Sequence, residues 1–387
     1  MTAPPVRASD APDVQEGPAL LAGLADGPGL AAHRRRYGEL PRPGLDDLLG
    51  ALARLRVRGR GGAGFPFETK LRTAAAGRRP VLVVNLSEGE PASAKDTALA
   101  LTRPHLVLDG AVAVARELGA RELHVVVPTE RPRAAASMRA ALDERPERLR
   151  AVVHTADARF VAGQARAVLE LMAGRPNLPV TSWQPEAVAG HRGRPTLLSN
   201  AETWAQVGRL VLVGERRYAA LGSPDEPGTT LLTLSGSRPR VREVPFGTPW
   251  CDVLPADWAG RPVLLGGFHG SWVPWDALAA GTVSVDSMRA AGTPLGAGVL
   301  ICPDEPPAAF TARVVGYLAA QSAGRCGPCR HGLPALAAAV DAGADDRAAE
   351  LAGLVTGRGA CAHPDGTARL VRSLLALRAG VRAGVSS

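Results

Sequence analysis

Three cysteines pose the first chemical question. Cys326-Gly-Pro-Cys329 is followed by Cys361, a C-x2-C-x31-C spacing. Two residues between cysteines let both thiolates reach one centre, as zinc and iron–sulfur sites require. A fourth ligand is not evident; His331, His363, Asp365 and Cys302 are the candidates. A redox-active dithiol or unliganded buried thiols would also account for the pair. A thioredoxin-like dithiol is disfavoured, because this C-x-x-C follows a helical stretch and does not open a helix after a strand. Cys251 and Cys302 read as core residues, since free cysteine packs as a small hydrophobe.

A second cluster is Gly59-Arg60-Gly61-Gly62-Ala63-Gly64-Phe65-Pro66, with Lys70 beyond it. Glycines let a backbone turn sharply and come close to a ligand. Gly59, Gly61 and Gly64 spell G-x-G-x-x-G, a weak signal when alone. The dinucleotide fingerprint belongs after a strand, yet Leu49–Arg58 reads as helical, so this is not an ordinary Rossmann turn. Either a nucleotide or flavin loop or a plain glycine-rich connection fits. A third cluster, Asn85-Leu86-Ser87-Glu88-Gly89-Glu90-Pro91, offers an amide, a hydroxyl and two carboxylates after an apolar run. Carboxylates there could accept from ribityl or ribose hydroxyls; an ordinary polar turn has the same composition. Lys95-Asp96 follows this cluster, Gly163-Gln164 follows the third expected strand in an equivalent loop position, and Ser199-Asn200 falls in a second polar segment, Arg194–Thr203.

Composition bears on these clusters. Of 45 basic residues only Lys70 and Lys95 are lysines, and Asn85, Asn177 and Asn200 are the only asparagines. Such a bias matches GC-rich coding, so a retained lysine is expected to be needed chemically. With 46% hydrophobic and 21% charged residues the chain reads as a soluble globular protein. Aromatics make up 4%, too few for the stacking platforms of single-stranded nucleic acid binding. A net charge of +8 suits an anionic cofactor or an acidic protein partner. No run reaches the roughly 18 apolar residues of a membrane span, and no secretory leader is visible. A cytoplasmic location is expected.

The elements that position these residues follow from periodicity. The Pro- and Ala-rich residues 1–18 are expected to be disordered. Residues 19–224 alternate strand and helix, the mark of an α/β layer. Val81–Val84, Leu123–Val127 and Ala151–His154 read as strands; Pro104–Leu118, Pro132–Leu142, Ala165–Met172 and Trp204–Leu212 read as helices. Residues 225–303 read as a small α+β module with strands Thr229–Ser235, Val241–Val244, Val263–Gly267 and Val299–Cys302. Residues 304–387 read as a helical bundle built from Ala308–Ser322, Leu333–Ala342, Ala348–Thr356 and Thr367–Leu377.

Together these motifs resemble the flavin- and NADH-binding subunit of respiratory complex I and related soluble diaphorase subunits of NAD-linked hydrogenases and formate dehydrogenases. The G-R-G-G-A-G-F-P pattern with its lysine is matched by Gly59–Pro66 and Lys70. N-x-x-E-x-E-P is matched by Asn85, Glu88, Glu90 and Pro91; P-T-x-x-x-N-x-E-T by Pro195, Thr196, Asn200, Glu202 and Thr203; and S-C-G-x-C-x-P-C-R resembles Ser322–Arg330. The resemblance implies an α/β fold: a Rossmann-like FMN-binding domain, a small β-grasp (soluble-ligand-binding) domain and a C-terminal helical bundle with an Fe–S site. It implies FMN and NAD(H) contacts at Gly59, Arg60, Gly61, Gly62, Gly64, Phe65, Lys70, Asn85, Ser87, Glu88, Glu90, Gly163, Gln164, Ser199 and Asn200. It implies a [4Fe–4S] cluster on Cys326, Cys329 and Cys361, with no acid–base catalytic residue. The implied activity passes electrons from NAD(P)H through FMN to the cluster. It also implies an electron-transfer partner protein, such as a ferredoxin-like [2Fe–2S] subunit, itself free to be membrane-associated.

The departures are specific. Ala323 stands at the first cluster cysteine, Ser87 at an aspartate, Gln164-Ala165 at a Glu-Glu pair and Ser199 at an asparagine. A non-enzymatic scaffold or assembly descendant is therefore the alternative, and it predicts a blocked flavin cleft.

Overall fold

The computed structural model describes residues 3–147, 149–236 and 239–385. The N-terminal part supplies β1 (Asp13–Val14), α1 (Leu30–Tyr37), α2 (Leu45–Arg54) and α3 (Phe67–Ala75). The expected disorder of residues 1–18 is corrected for the described part. β1 pairs in parallel with β7 (Arg240–Pro245), and the Ala8 amide donates to Pro91 O at 2.8 Å. Glu243 anchors the adjoining turn, accepting the amides of Ala19, Leu20 and Leu21. Composition could not reveal these partners, because β7 and Glu243 come from more than two hundred residues away and Pro91 from a separate loop.

The β-branched runs form a four-stranded parallel sheet: β2 (Val81–Asn85), β3 (Glu122–Pro128), β4 (Arg150–Ala156) and β5 (Thr196–Asn200), in spatial order β4-β3-β2-β5. One face of β2, carrying Leu82 and Val84, joins the main core; the other, carrying Val81 and Val83, packs with Ala162, Val168 and Met172. On the first face lie α4 (Lys95–Thr102), α5 (Pro104–Leu118), α6 (Pro132–Asp143) and, after β5, α8 (Ala201–Tyr218); α7 (Ala165–Met172) covers the second. Pro104 starts α5 and left-handed Gly119 ends it, the usual proline and glycine positions. α5 and α8 touch through glycines. A β-carbon on Gly110 would collide with Trp204 O, and one on Gly208 with Leu106 O.

β6 (Thr229–Ser235), β7, β8 (Val263–Leu265), β9 (Ser271–Val273) and β10 (Val299–Ile301) form a second sheet, to which β1 adds a strand: β1-β7-β6-β10-β8-β9. Within the module the order is second-first-fifth-third-fourth, with its first and last strands parallel at the centre. That is the arrangement of a β-grasp fold. Short helices α9 (Trp250–Val253), α10 (Trp275–Ala279) and α11 (Val285–Ala290) close one side, where Trp250, Val253 and Leu278 are buried. Its other face, through Phe268, Trp272, Val299 and Ile301, shares a core with α12 (Pro307–Ala320), α13 (Leu333–Asp341), α14 (Asp345–Val355) and α15 (His363–Val385). Among the described residues no single helix is long and apolar enough to cross a membrane. α4 and α5 pass that test only as a pair bent by 92°, and their apolar residues are interior.

Candidate functional site

Strand order locates the site. β2, β3 and β4 run outward on one side of β2, and the chain then returns to place β5 on the other. In open parallel sheets the carboxyl ends beside such a reversal form a crevice that ligands use. Asn85 ends β2 and Asn200 ends β5, paired in register. The glycine loop packs at this point: a β-carbon on Gly61 would lie only 3.5 Å from Asn200 Cβ. The loop joins α2 to α3, so a helix does precede it, but that helix ends at Arg54 and not at Arg58, because Arg56 turns left-handed at φ 49° and Arg58 bridges to Pro66. It closes on itself through Gly59 N to Phe65 O at 2.8 Å. Gly62 (φ 102°) and Gly64 (φ 62°) occupy the left-handed region, where a side chain would be strained.

Several predicted contact residues have internal commitments. Arg60 is buried; its amide donates to Thr203 Oγ1, its guanidinium donates to Thr229 O and lies over the Phe246 ring at 4.6 Å. Glu88 sits at φ 36° and accepts from Ser93 Oγ (3.0 Å), Asp96 N (2.8 Å), Thr97 N (3.1 Å) and Thr97 Oγ1 (2.5 Å). It thus caps the N-terminus of α4. Burial, then the nearby Asp96 charge, pushes its carboxyl up. Glu90 reaches the other sheet and accepts from Phe268 N at 2.7 Å; burial pushes its carboxyl up to about 7. Asn200 caps α8 by accepting from Glu202 N and donates to Asp96 at 2.5 Å.

Lys95 explains that arrangement. It is 1% exposed and lies 2.9 Å from Asp96, 3.1 Å from Glu202 and 2.8 Å from Asn200 Oδ1. Arg60 Nε lies 3.7 Å from Glu202, so two cations face two carboxylates in the interior. Burial opposes the Lys95 charge, but Asp96 and Glu202 outweigh it and hold the ammonium above its usual range. The retained lysine is therefore needed for the frame of the crevice. Lys70 behaves differently: partly exposed, it donates to Glu186 at 2.9 Å and to Leu198 O at 3.0 Å, beside the end of β5. Phe65 is half exposed at the loop. Ser87 donates to Asn85 Oδ1 at 2.6 Å, and Asn85 Nδ2 donates to Gly163 O at 2.8 Å.

The three cysteine thiols converge. Cys326 Sγ and Cys329 Sγ are 3.4 Å apart, and Cys361 is close enough to act on both electrostatically. Each sulfur meets a backbone N–H: Ala360 and Cys329 at Cys326, Gly324 at Cys329, His363 at Cys361. Burial pushes Cys329 up to about 11 and Cys361 upward, while the N–H groups on Cys326 outweigh its burial and bring it down. Gln164 lies close enough to Cys361 to draw its thiol pKa downward against burial. The candidate fourth ligands are largely excluded. His363 bonds His269 and Leu318 O, Asp365 accepts from Gly357 N, and Cys302 lies in the β-grasp core. His331 is exposed. Cys251, expected in a core, is exposed as well; a four-residue surface helix leaves its side chain outside.

Comparisons with known proteins agree with this anatomy. Residues 52–209 match the Nuo51 FMN-binding domain and residues 309–377 the NADH-ubiquinone oxidoreductase-F iron-sulfur binding region. The chain is 30% identical to the second NADH-quinone oxidoreductase F subunit of Rhizobium meliloti, covering 83% of this chain and 81% of that one. It is 31% identical to the NADH-quinone oxidoreductase F subunit of Mycobacterium bovis, covering 85% and 82%. The crystal structure of an NAD+-reducing [NiFe]-hydrogenase superposes with a TM-score of 0.82 at 26% identity; the match covers 95% of this chain and 66% of that one. The chain belongs to the family of NADH-quinone oxidoreductase F subunits, with that family's FMN-binding and iron–sulfur regions.

Proposed function

We propose that the protein takes electrons from NADH at an FMN held in the crevice and delivers them through an iron–sulfur centre to a partner protein. One observation carries this reading. Asn85, at the end of β2, bonds Gly163 O, and the next residue, Gln164, lies beside Cys361 and acts on its thiol. The crevice and the thiol cluster are thus linked by two adjacent residues, which keeps an electron path short.

The residues present fit both groups. The glycine loop carries no side chain where it packs against Asn200, so its backbone is free to approach a ligand closely; the family matches give no support to a scaffold without chemistry. The thiols already collect N–H donors, as sulfur ligands of a cluster do. FMN supplies the conversion between two-electron hydride chemistry and single-electron transfer. The chain contributes position. Gly59–Gly64 let the backbone approach the ligand, and Lys70 places a cation at the end of β5. Phe65 presents an aromatic face at the mouth, while Asn85 and Ser87 fix the rim. Cys326, Cys329 and Cys361 would hold the cluster, and Ala323 would supply it no thiolate. Gln164 and Ala165 leave the N-terminus of α7 without carboxylates, so its positive end is uncompensated there. The partner is an electron carrier of the ferredoxin-like [2Fe–2S] type, and the setting is cytoplasmic.

The test is an absorbance spectrum with iron and sulfide analysis on anaerobically purified protein, before and after NADH. Flavin bands and an Fe–S shoulder that both bleach are expected. Flavin that stays oxidised with NADH would overturn NADH as the donor; colourless protein that resists reconstitution would overturn the redox reading.

A further inference from the structure

The opposite end of the parallel sheet carries a second cluster with no part in that chemistry. Residues 122, 124 and 126 of β3 share one face, because strand side chains alternate. That face is the α7 side, to which Val126 belongs. Glu122 is the first residue of β3, whereas the crevice lies at the strands' last residues. The segment leading to β5 crosses this face and lowers His191 onto His124, ring centroids 5.2 Å apart. Its turn is tightly defined: Arg192 is left-handed at φ 53°, and the His191 amide donates to Thr196 Oγ1 at 2.8 Å.

We propose that Glu122, His124 and His191 bind a divalent transition-metal ion of the zinc class. Their ligand atoms all lie within 4.8 Å of one another, and His124 Nε2 is 3.7 Å from Glu122 Oε2. Bonds of about 2.0–2.2 Å in tetrahedral geometry separate ligand atoms by roughly 3.4 Å, so small side-chain rotations close the set. The two imidazoles are 6% and 4% exposed, and among the described residues His124 Nε2 and His191 Nδ1 have no hydrogen-bond partner. Buried polar atoms are seldom left so, because each forfeits its hydration; a metal ion supplies the missing partner. The other nitrogen of His124, Nδ1, contacts His154 Nε2 at 2.8 Å. If Nδ1 donates there, the Nε2 lone pair is directed to the metal, the outer-shell arrangement that orients ligating histidines. Arg194 grips both oxygens of Glu122. A carboxylate offers about four lone-pair sites, so one remains for metal while Arg194 fixes its orientation.

Two nitrogens and one oxygen favour zinc, copper or nickel over the hard cations magnesium and calcium. Three protein ligands leave a fourth position for water, and Glu122, 24% exposed at its side chain, provides access. The ion would pin the Gly190–Arg194 turn to β3. That turn lies between Glu186, which holds Lys70, and β5, which carries Ser199 and Asn200, so the ion would steady one wall of the crevice.

The experiment uses the purified holoprotein, with its cysteines occupied, and zinc chloride as probe. Zinc per chain, calorimetric titration and zinc X-ray absorption are measured on the wild type, His124→Gln, His191→Gln and Glu122→Gln. One zinc with a nitrogen/oxygen shell near about 2.0 Å is expected, with affinity at least tenfold weaker in each histidine variant and flavin content retained. Zinc found only in a sulfur shell near about 2.3 Å, or equal affinity in all variants, would overturn the site. Glu122→Gln, at the sheet margin, keeps the test decisive should a core histidine variant fail to fold: tenfold weaker binding supports the site and unchanged binding refutes it.

Discussion

Lys95→Met removes one cation from the buried four-charge group and leaves Asp96 and Glu202 facing each other without it. The ammonium lies 2.9 and 3.1 Å from those carboxylates and is 1% exposed, so water cannot replace it without opening the interface of α4 with α8. Breaking a buried pair from one side costs about 3–5 kcal/mol. Against a total of about 5–15 kcal/mol for a folded domain, that is a large share. Urea unfolding followed by circular dichroism, with flavin retention measured in parallel, reads the loss. Most of it should come from the uncompensated carboxylates and not from lost packing. Lys95→Met combined with Asp96→Asn should therefore recover at least about 1 kcal/mol, the scale of one neutralised buried group. Lys70→Met is the contrast: its pair with Glu186 is partly exposed, so about 1 kcal/mol or less is expected. A Lys95→Met protein within about 1 kcal/mol of wild type, or a double variant no better than the single, would refute the structural role given to this lysine.

Two further outcomes rest on the same structure. Burial raises the folded pKa of Glu90 from 4.5 to about 7. The folded state therefore holds a proton that the unfolded state has lost across that window. The associated stability is present below about pH 4.5 and is lost as pH rises toward 7, by about 3 kcal/mol at 1.36 kcal/mol per unit. Glu90→Gln should remove this component, seen as a difference between the two proteins' urea midpoints that changes steadily from about pH 5 to about pH 7.5; parallel pH profiles would count against it. Ala323→Cys places a thiol next to Gly324, whose N–H already meets Cys329. It should raise iron retained after chelator treatment; unchanged release would mean that residue 323 supplies no ligand.

Much of this protein was legible as sequence. The bounds of α5, α7 and β6 follow from periodicity and end signals. The cysteine spacing left zinc, an iron–sulfur centre or free thiols open, and the glycine loop with its neighbours carried the family resemblance that chose among them. These are local properties, set by side-chain pattern and backbone preference over a few residues. What escaped was set by distant partners. β5 is five residues long and runs straight into a helix, so its segment reads as a polar loop until β2 pairs with it. β1 is a two-residue strand that exists only because β7 offers an edge. Composition singled out Lys95 but could not show that its partners are internal, since Asn200 and Glu202 are more than one hundred positions away. Gln164 looked like a lost carboxylate and lies beside Cys361, acting on its thiol. Glu122, His124 and His191 gave no motif, because only the sheet and the crossing segment bring them together. Local chemistry specifies elements and residue types; which charges, thiols and imidazoles meet is decided by strand order and packing, and on this chain that order creates the crevice at β2 and β5.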